Sequence, residues 1–403
     1  MSSYSLTCRL CEWSGPVTER PSRCPDCGAR LEVAFDTLPE RLVTDESRYD
    51  VYRYADWLPV SDADWLSNGE GWTPLVETSG LVPADAEPET TVLLKNETTN
   101  PTWSWKDRMA TQVVSRAVDA GADRIATSTT GNHGSAIAAY AARAGIDRTL
   151  VIVNPASEAP HHAQIRSYGA ETVELTEPTE SERLLSELAN RGWFVAYGLD
   201  DAYTAQPFVY EGYKTIAFEL VEQNGVPDAV VAAVGAGDGL YGVWKGFKEL
   251  ETAGVVEETP AMVSAEASER QPLAKAYRSG TTQVGKDHGP EPLNTSTKSP
   301  TTGDHALSAV KDSGGRPTVV DTGALQSAFD AVGASGVFLE PASVLATAGA
   351  RQLAAKQEYD CVVAIGSGAG VTWPQKTATL LSPYPTVEPS LEEIEDAVSF
   401  DLD

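Results

Sequence analysis

A lysine placed at the start of a helix is the residue in this sequence whose position most calls for chemistry. The stretch Asn100-Pro101-Thr102-Trp103-Ser104-Trp105-Lys106-Asp107-Arg108 follows a strand-like run, Thr91-Val92-Leu93-Leu94-Lys95. Asn100 and Pro101 are turn formers, and the pattern predicts a helix directly after them. Ser104 suits the N-cap, and Asp107 three residues on completes a capping box. Met109/Ala110, Val113/Val114 and Ala117/Val118 then recur at helical spacing as far as Gly121, a suitable exit. Lys106 therefore falls in the first turn, beside the positive end of the helix dipole. Cations are favoured at the other end. The position suits a lysine that sheds its proton and acts as a nucleophile, set against the plainer reading of an exposed lysine near a helix start.

Other groups are also spaced for chemistry. Two Cys-x-x-Cys knuckles, Cys8-Arg9-Leu10-Cys11 and Cys24-Pro25-Asp26-Cys27-Gly28, are separated by 12 residues. The spacing matches a zinc ribbon in which Cys8, Cys11, Cys24 and Cys27 surround one tetrahedral ion, zinc or iron. Disulfides are the rival reading, but nothing points to an oxidising compartment. Four protein ligands leave no open position, so the metal is expected to be structural. Cys361 sits in the apolar run Cys361-Val362-Val363-Ala364-Ile365 and reads as a buried strand residue. The run Thr127-Ser128-Thr129-Thr130-Gly131-Asn132-His133-Gly134 stands between a strand and an apolar helix, where hydroxyls and free amides make an anion site. A capped helix start is the alternative. Val234-Gly235-Ala236-Gly237-Asp238-Gly239-Leu240-Tyr241-Gly242 opens an amphipathic helix, and its glycines let backbone amides converge on a phosphate. As a dinucleotide fingerprint it is weak.

The elements that must hold these groups alternate. Short apolar runs at 124–127, 149–153, 172–175, 193–196, 229–234, 262–265, 317–320 and 361–365 are predicted strands, with helical patterns at 135–144, 161–168 and 180–191. Apolar strands separated by helices argue for parallel sheets covered on both faces. Residues 39–72 show no clean periodicity, and 81–90 and 279–303 read as loops. The 403 residues carry 30 Lys and Arg against 58 Asp and Glu, a net charge of −28 without any basic cluster. Nucleic acid and anionic membranes are therefore not expected as partners. Acid spread along the whole length suits a solvating surface in a salt-rich cytoplasm. No signal peptide or membrane span is visible, and a cytoplasmic protein is expected.

Five stretches, in order, resemble those of threonine synthases, members of the tryptophan-synthase-like, fold-type II enzymes that depend on pyridoxal 5'-phosphate. The Lys106 segment resembles their Asn-Pro-Thr-Gly-Ser-Phe-Lys-Asp-Arg-Gly signature, and 127–134 their Ser-x-Gly-Asn loop. The run 234–242 stands where they carry a phosphate loop. Pro207-Phe208-Val209-Tyr210-Glu211-Gly212-Tyr213-Lys214-Thr215 resembles Pro-Tyr-Arg-x-Glu-Gly-Gln-Lys-Thr, and Glu340-Pro341-Ala342-Ser343 matches Glu-Pro-Ala-Ser near the cofactor. Gly71-Trp72-Thr73-Pro74-Leu75 resembles their Gly-x-Thr-Pro-Leu entry, and a similar ribbon precedes many archaeal members.

The resemblance implies two three-layer α/β/α domains behind the ribbon. Residues 1–38 form the ribbon, 39–104 with 205–390 the larger, cofactor-binding domain, 105–204 the smaller one, and 391–403 an acidic tail. It implies that Lys106 is the Schiff-base lysine, displaced by an amino-acid substrate and then acting as the base that removes the α proton. Asn132, Gly235, Ala236, Gly237, Asp238, Gly239, Leu240, Glu340 and Ser367 would contact the cofactor, with the Asp238 side chain turned away from its phosphate. Ser128, Thr129, Thr130, Gly131 and His133 would face the substrate. Ile365 or Ser367 stands opposite the pyridine nitrogen, according to a one-residue shift in alignment. His133 replaces a usual Thr, as in ammonia-lyases, and reads as a packed neighbour rather than a proton carrier.

The expected activity is threonine synthase or a close paralogue. The alternatives are a serine or threonine ammonia-lyase, another β-replacement enzyme such as a cysteate synthase-like one, or an inactive relative that binds a ligand or partner. A homodimer stays open. Trp103, Met109, Val209 and Gly370 replace Gly, Gly, Arg and Lys of the family. Read as substrate-facing, they predict a pocket in which a small uncharged β-hydroxy amino acid competes with O-phosphohomoserine.

Overall fold

The structure, a computed structural model, describes residues 4–17, 23–59, 66–83, 90–197, 206–293, 302–400 and 402. Near its start β1 (Tyr4–Cys8), β2 (Ser14–Gly15) and β3 (Leu31–Phe35) form a small antiparallel sheet in the order β2-β1-β3. Its two knuckles close on backbone bonds, Cys8 N–H to Trp13 O at 3.0 Å and Cys24 N–H to Ala29 O at 2.8 Å. Gly28 takes φ +74° in the second, a left-handed position that glycine adopts without strain.

Strands and helices then alternate. β4 (Leu75–Glu77), β5 (Thr91–Asn96) and α1 (Lys106–Asp119) precede β6 (Arg124–Thr129), α2 (Asn132–Arg143), β7 (Arg148–Val153), α3 (Ala159–Ser167), β8 (Glu171–Glu174), α4 (Ser181–Asn190) and β9 (Phe194–Tyr197). Next come α5 (Gln206–Asn224), β10 (Ala229–Ala233), α6 (Asp238–Thr252), β11 (Ala261–Ala267), α7 (Pro272–Ser279), α8 (Asp304–Asp312) and β12 (Pro317–Val320). α9 (Thr322–Ala334), α10 (Pro341–Ala355), β13 (Cys361–Gly366), α11 (Pro374–Ala378) and the exposed α12 (Leu391–Ala397) follow. From residue 90 onward each strand expected from an apolar run is present, its ends within two residues of the expected ones. Part of the 81–90 and 279–303 loops lies outside the described residues. Among those described, no helix is long and apolar enough to cross a membrane.

Among the described residues these strands build a six-stranded sheet, β12-β11-β10-β13-β5-β4, and a four-stranded one, β8-β7-β6-β9. All neighbours run parallel except β4 with β5. Each sheet reverses direction once. β10 leads outward to β11 and β12 while β13 lies on its other side, and β6 leads to β7 and β8 while β9 lies on its other side. In sheets of this kind a crevice opens at the carboxyl ends of the strands where the order reverses. The central strands are buried almost throughout, as continuous apolar runs such as Ala229-Val230-Val231-Ala232 require.

The helix that carries Lys106 is fixed by buried charge. Arg108 Nε donates to Glu97 Oε2 at 2.6 Å, and its Nη1 donates to Glu219 Oε1 at 2.6 Å and to Thr215 Oγ1 at 2.9 Å. Nη2 reaches Glu97 Oε1 at 2.8 Å, Glu219 Oε2 at 2.9 Å and Thr73 Oγ1 at 3.1 Å. Lys95 Nζ donates to Glu219 Oε2 at 2.6 Å and to Thr73 O at 2.7 Å. Two cations and two carboxylates thus join β5, the turn after it, α1 and α5. Burial alone would raise the Glu219 pKa, but Arg108 and Lys95 hold it at about 2, below its ordinary 4.5. A folded pKa below the unfolded one gives stability that is complete above pH 4.5 and fades as the pH falls through 2. Glu219→Gln strands buried positive charge, and it is expected to lower unfolding free energy at neutral pH by about 3–5 kcal/mol in a denaturant titration. An unchanged midpoint would show that the network bears no such strain.

Candidate active site

The segment before Lys106 is shaped by its backbone. Asn100 Nδ2 donates to Glu97 O at 2.9 Å and to Glu97 Oε2 at 2.8 Å, fixing the turn to the charged network. Ser104 pairs with Gly368 in an antiparallel bridge, Trp105 N–H donates to Ser367 O at 2.9 Å, and Ala369 N–H donates to Trp103 O at 3.0 Å. The lysine loop is therefore clipped to the turn after β13. The expected capping box takes another form. Ser104 Oγ accepts from Lys106 N–H at 3.3 Å, whereas the Asp107 carboxylate reaches back to Thr102, accepting from its N–H at 2.8 Å and its hydroxyl at 2.9 Å. The helix begins at Lys106 with Trp105 at the N-cap, so Ser104 stands one residue before the capping position.

Lys106 faces a cavity of about 580 Å³. The turns after β6, β10 and β13 reach the same cavity through Ser128, Thr129, Thr130, Asn132 and His133, through residues 235–240, and through Ser367. Glu340, which precedes α10, lines it too. Gly131 does not: it packs against the His161 ring and Trp373, where a Cβ would collide. The Lys106 Nζ stands 5.6 Å from the centre of the Tyr213 ring and 5.9 Å from that of Trp105. Loss of surrounding water lowers its pKa, and the carboxylates of Asp238 and Glu340 offset part of that shift. Proximity to these rings and a lowered proton affinity suit an amine that acts as a nucleophile.

The turn between β10 and α6 is an anion cradle. The amides of Gly235, Ala236, Gly237, Gly239 and Leu240 donate to no acceptor among the described residues. Buried amides are nearly always paired, so such a cluster at a helix N-terminus fits a phosphate. The glycines are there for space and conformation. Gly237 has φ +91°, and a Cβ on it would collide with Ala306, as one on Gly239 would with the Trp105 ring. The Asp238 side chain does turn toward other partners, with Oδ1 3.1 Å from Arg30 Nη1 and 3.0 Å from His305 Nε2.

The loop between β6 and α2 is partly self-satisfied. Thr129 Oγ1 donates to Gly131 O at 2.9 Å and accepts from the Gly131 and Gly134 amides, so its hydroxyl shapes the loop. The amides of Thr130 and Asn132 donate to no acceptor among the described residues. Asn132 is held from both ends: Nδ2 donates to Glu340 Oε2 at 2.8 Å, and Oδ1 accepts from His161 Nε2 at 3.1 Å. One N–H of its amide remains for a ligand. His133 Nε2 lies 2.9 Å from Thr127 Oγ1, and burial pushes its pKa down to about 3 with Lys106 adding to the effect. That shift favours the neutral ring. Burial raises the pKa of Glu340.

Near β13 the two alignments separate. Ile365 is 1% exposed within the hydrophobic core, whereas Ser367 lines the cavity with its hydroxyl 3.1 Å from Ser343 Oγ and 3.5 Å from Glu340 Oε1.

The residues read as substrate-facing replacements lie elsewhere. Met109 and Val209 are buried in the core, Gly370 packs against the Phe338 ring, Trp103 is 42% exposed, and none lines the cavity. The argument from them for a small uncharged substrate loses its basis. Arg270, His288 and Glu291 line the cavity instead. Their irregular segment falls within the long Ser279–Gly303 loop or just before α7, and loop length was the one signal that pointed to it. Arg270 is tethered by a bond from Nη2 to Gly289 O at 2.8 Å.

The four ribbon sulfurs lie within 4.8 Å of one another, with Cys8 and Cys27 3.4 Å apart and Cys11 and Cys24 3.5 Å apart. Thiolates around a zinc ion at ~2.3 Å are separated by about 3.8 Å in a tetrahedron, so the donor set fits such an ion.

An α/β fold with a partly desolvated lysine beside a turn whose amides donate to no acceptor among the described residues, where the strand orders of two sheets reverse, suits an enzyme that holds a phosphorylated carbonyl cofactor. The chain belongs to the pyridoxal-phosphate dependent enzyme family, whose model matches residues 66–368, and it is a pyridoxal-phosphate dependent lyase. It is similar to the threonine synthase of Methanocaldococcus jannaschii, 31% identical over 382 residues that cover 91% of this chain and 92% of the relative. The threonine synthase of Methanosarcina acetivorans is 29% identical over 409 residues, 98% of each chain. In fold it is similar to the processed form of threonine deaminase isoform 2 from Solanum lycopersicum, with a TM-score of 0.67 at 19% identity over 86% of this chain and 97% of that one. Maize serine racemase gives a TM-score of 0.63 at 20% identity over 76% and 92%.

Trp103 occupies the left-handed region at φ 69°, where the resembling signature carries glycine. Non-glycine residues held there cost on the order of 1 kcal/mol. With its side chain largely solvent-facing, Trp103→Gly is expected to raise unfolding free energy by about 1 kcal/mol without lowering lysine-bound cofactor absorbance. A loss of stability in that variant would mean that the indole contributes more than the strain removes.

Proposed function

We propose that the protein makes threonine and phosphate from O-phosphohomoserine and water, with pyridoxal 5'-phosphate joined to Lys106 and zinc held by Cys8, Cys11, Cys24 and Cys27. The observation that carries the reading is the similarity to threonine synthases across nearly the entire chain, ribbon included. When bound, the cofactor supplies an electron sink for breaking bonds at the substrate's Cα and beyond. The residues divide the remaining work. The amides of Gly235, Ala236, Gly237, Gly239 and Leu240 would hold the cofactor phosphate, and the second side-chain N–H of Asn132 would donate to the cofactor ring's oxygen. Ser367, rather than the core residue Ile365, faces the ring nitrogen. A neutral hydroxyl there would let that nitrogen stay uncharged, which would favour elimination and replacement over transamination.

Ser128 and Thr130 hydroxyls with the Thr130 and Asn132 amides take the substrate carboxylate. Lys106, its proton affinity lowered by burial, would be the base that takes the α proton of a substrate held in the cavity. His133 is a packing neighbour of this centre and does not exchange protons. Arg270 and His288 are the cationic and hydrogen-bonding groups assigned to the substrate's phosphate end, and the guanidinium's fixed fork suits that group.

The test is kcat/KM for O-phosphohomoserine, serine and threonine at high salt, with Lys106→Ala as the inactive control. O-Phosphohomoserine should be preferred by wild type, and Arg270→Ala should lower its kcat/KM by roughly one to two decades, the scale of one charge-assisted contact. Faster turnover of serine or threonine by wild type would rule the reading out.

The ribbon is expected to carry one metal ion per chain. Metal analysis of protein purified without chelator should find zinc at that stoichiometry. Finding no metal at all would leave four reduced thiols in place of a site.

A further inference from the structure

The cofactor-phosphate turn contains a buried carboxylate. Asp238 is the first residue of α6, is 6% exposed and lines the cavity beside the five amides that donate to no acceptor among the described residues. A carboxylate and a phosphate dianion in one low-dielectric turn repel each other unless a cation is in contact with one of them. Arg30 is a cation in such contact, with Nη1 3.1 Å from Asp238 Oδ1. His305 Nε2 stands 3.0 Å from the same oxygen, but burial lowers its pKa to about 4, so near pH 7 it is neutral.

Arg30 does not belong to either large sheet. It lies three residues after Cys27, immediately before β3 of the ribbon. The ribbon reaches α6 and α8 at further points. Glu32 accepts a hydrogen bond from the Tyr241 hydroxyl, Arg9 Nη2 donates to Ser308 Oγ at 2.8 Å, and the Arg9 guanidinium lies 4.5 Å over the Tyr241 ring. Behind the turn, Gly303 N–H donates to Ala236 O at 2.9 Å, so the start of α8 braces the turn that Arg30 neutralises.

We propose that Arg30 is a positioning residue for the cofactor: by balancing Asp238 it allows the 235–240 turn to accept a phosphate dianion, and so makes the four-cysteine ribbon a part of the cofactor site. The inference rests on the reading of that turn as the phosphate cradle. It assigns the ribbon a task beyond its own folding. Arg30 touches neither substrate nor reacting atoms and acts through Asp238.

The experiment is pyridoxal 5'-phosphate affinity, measured by stripping the purified holoenzyme and following rebinding through fluorescence quenching and absorbance. Arg30→Ala is expected to raise Kd roughly tenfold to a hundredfold, and Arg30→Lys to recover part of the loss. In an Asp238→Asn background the same Arg30→Ala change should cost no more than about twofold, because the charge it balances is gone. A merely structural role would give the same loss in both backgrounds, and that result overturns the proposal. Metal content and circular dichroism show which variants are folded. Should Arg30→Ala lose the ribbon's metal, Arg30→Gln, which keeps much of the side chain, serves in its place. Wild-type affinity in a folded Arg30→Gln overturns the proposal as well. Wild-type protein that binds no pyridoxal 5'-phosphate overturns the assignment of the turn itself, and this inference with it.

Discussion

The fork of Arg108 between Glu97 and Glu219 is the constraint from which the position of Lys106 follows. The guanidinium has fixed geometry and finds oxygens on three separate segments, Thr73, the turn after β5, and α5. Against an apolar replacement a buried network of this kind adds little net stability. Its effect is directional: any shift of α1 along its axis would strand charge in a place without water, at a cost of several kcal/mol. Two residues before Arg108, Lys106 inherits that accuracy. The same carboxylates also accept from the Trp72, Thr73 and Asn100 groups, so the entry segment and the turn before α1 are placed by one set of contacts.

Where the sequence was legible, the cause was burial on both faces. Parallel strands covered by helices are written as continuous apolar runs, and β10 and β13 could be placed to within a residue. Turns that carry chemistry were legible for a related reason, since glycine, hydroxyl and amide residues at a strand–helix junction have few other uses. α5 was harder. Its 19 residues are buried nearly all round from Phe208 to Leu220, which removes the one-sided periodicity that marks a helix. The ribbon strand β2 spans two residues and β4 spans three, too few to show a pattern.

The misplaced residues share a different cause. Val209 stands within a motif that resembles a substrate-binding one, yet here it points into the core with Phe208 and Tyr213. A motif gives spacing along the chain, and the face a side chain takes depends on packing from elements far away in sequence. Trp103 shows the same limit through the backbone: a left-handed φ directs its indole outward instead of into the cavity. Arg270 and His288 reach the cavity from an irregular segment whose path is set by Asp287, which accepts from the Gln271 and Gly289 amides. No periodic signal could have announced that arrangement.

The amides of Gly235, Ala236, Gly237, Gly239 and Leu240, which donate to no acceptor among the described residues, link packing to the proposed function. Gly237 and Gly239 let Ala306 and the Trp105 ring approach so closely that no side chain fits. A buried donor without an acceptor costs about 1–3 kcal/mol, so the fold alone leaves this turn in a less stable state than it could reach. An anion that accepts from several of these donors recovers that energy on binding. Under the proposed reading, affinity for the cofactor phosphate follows from that geometry. The carboxylate of Asp238 works against it, and a cation from the ribbon offsets that opposition.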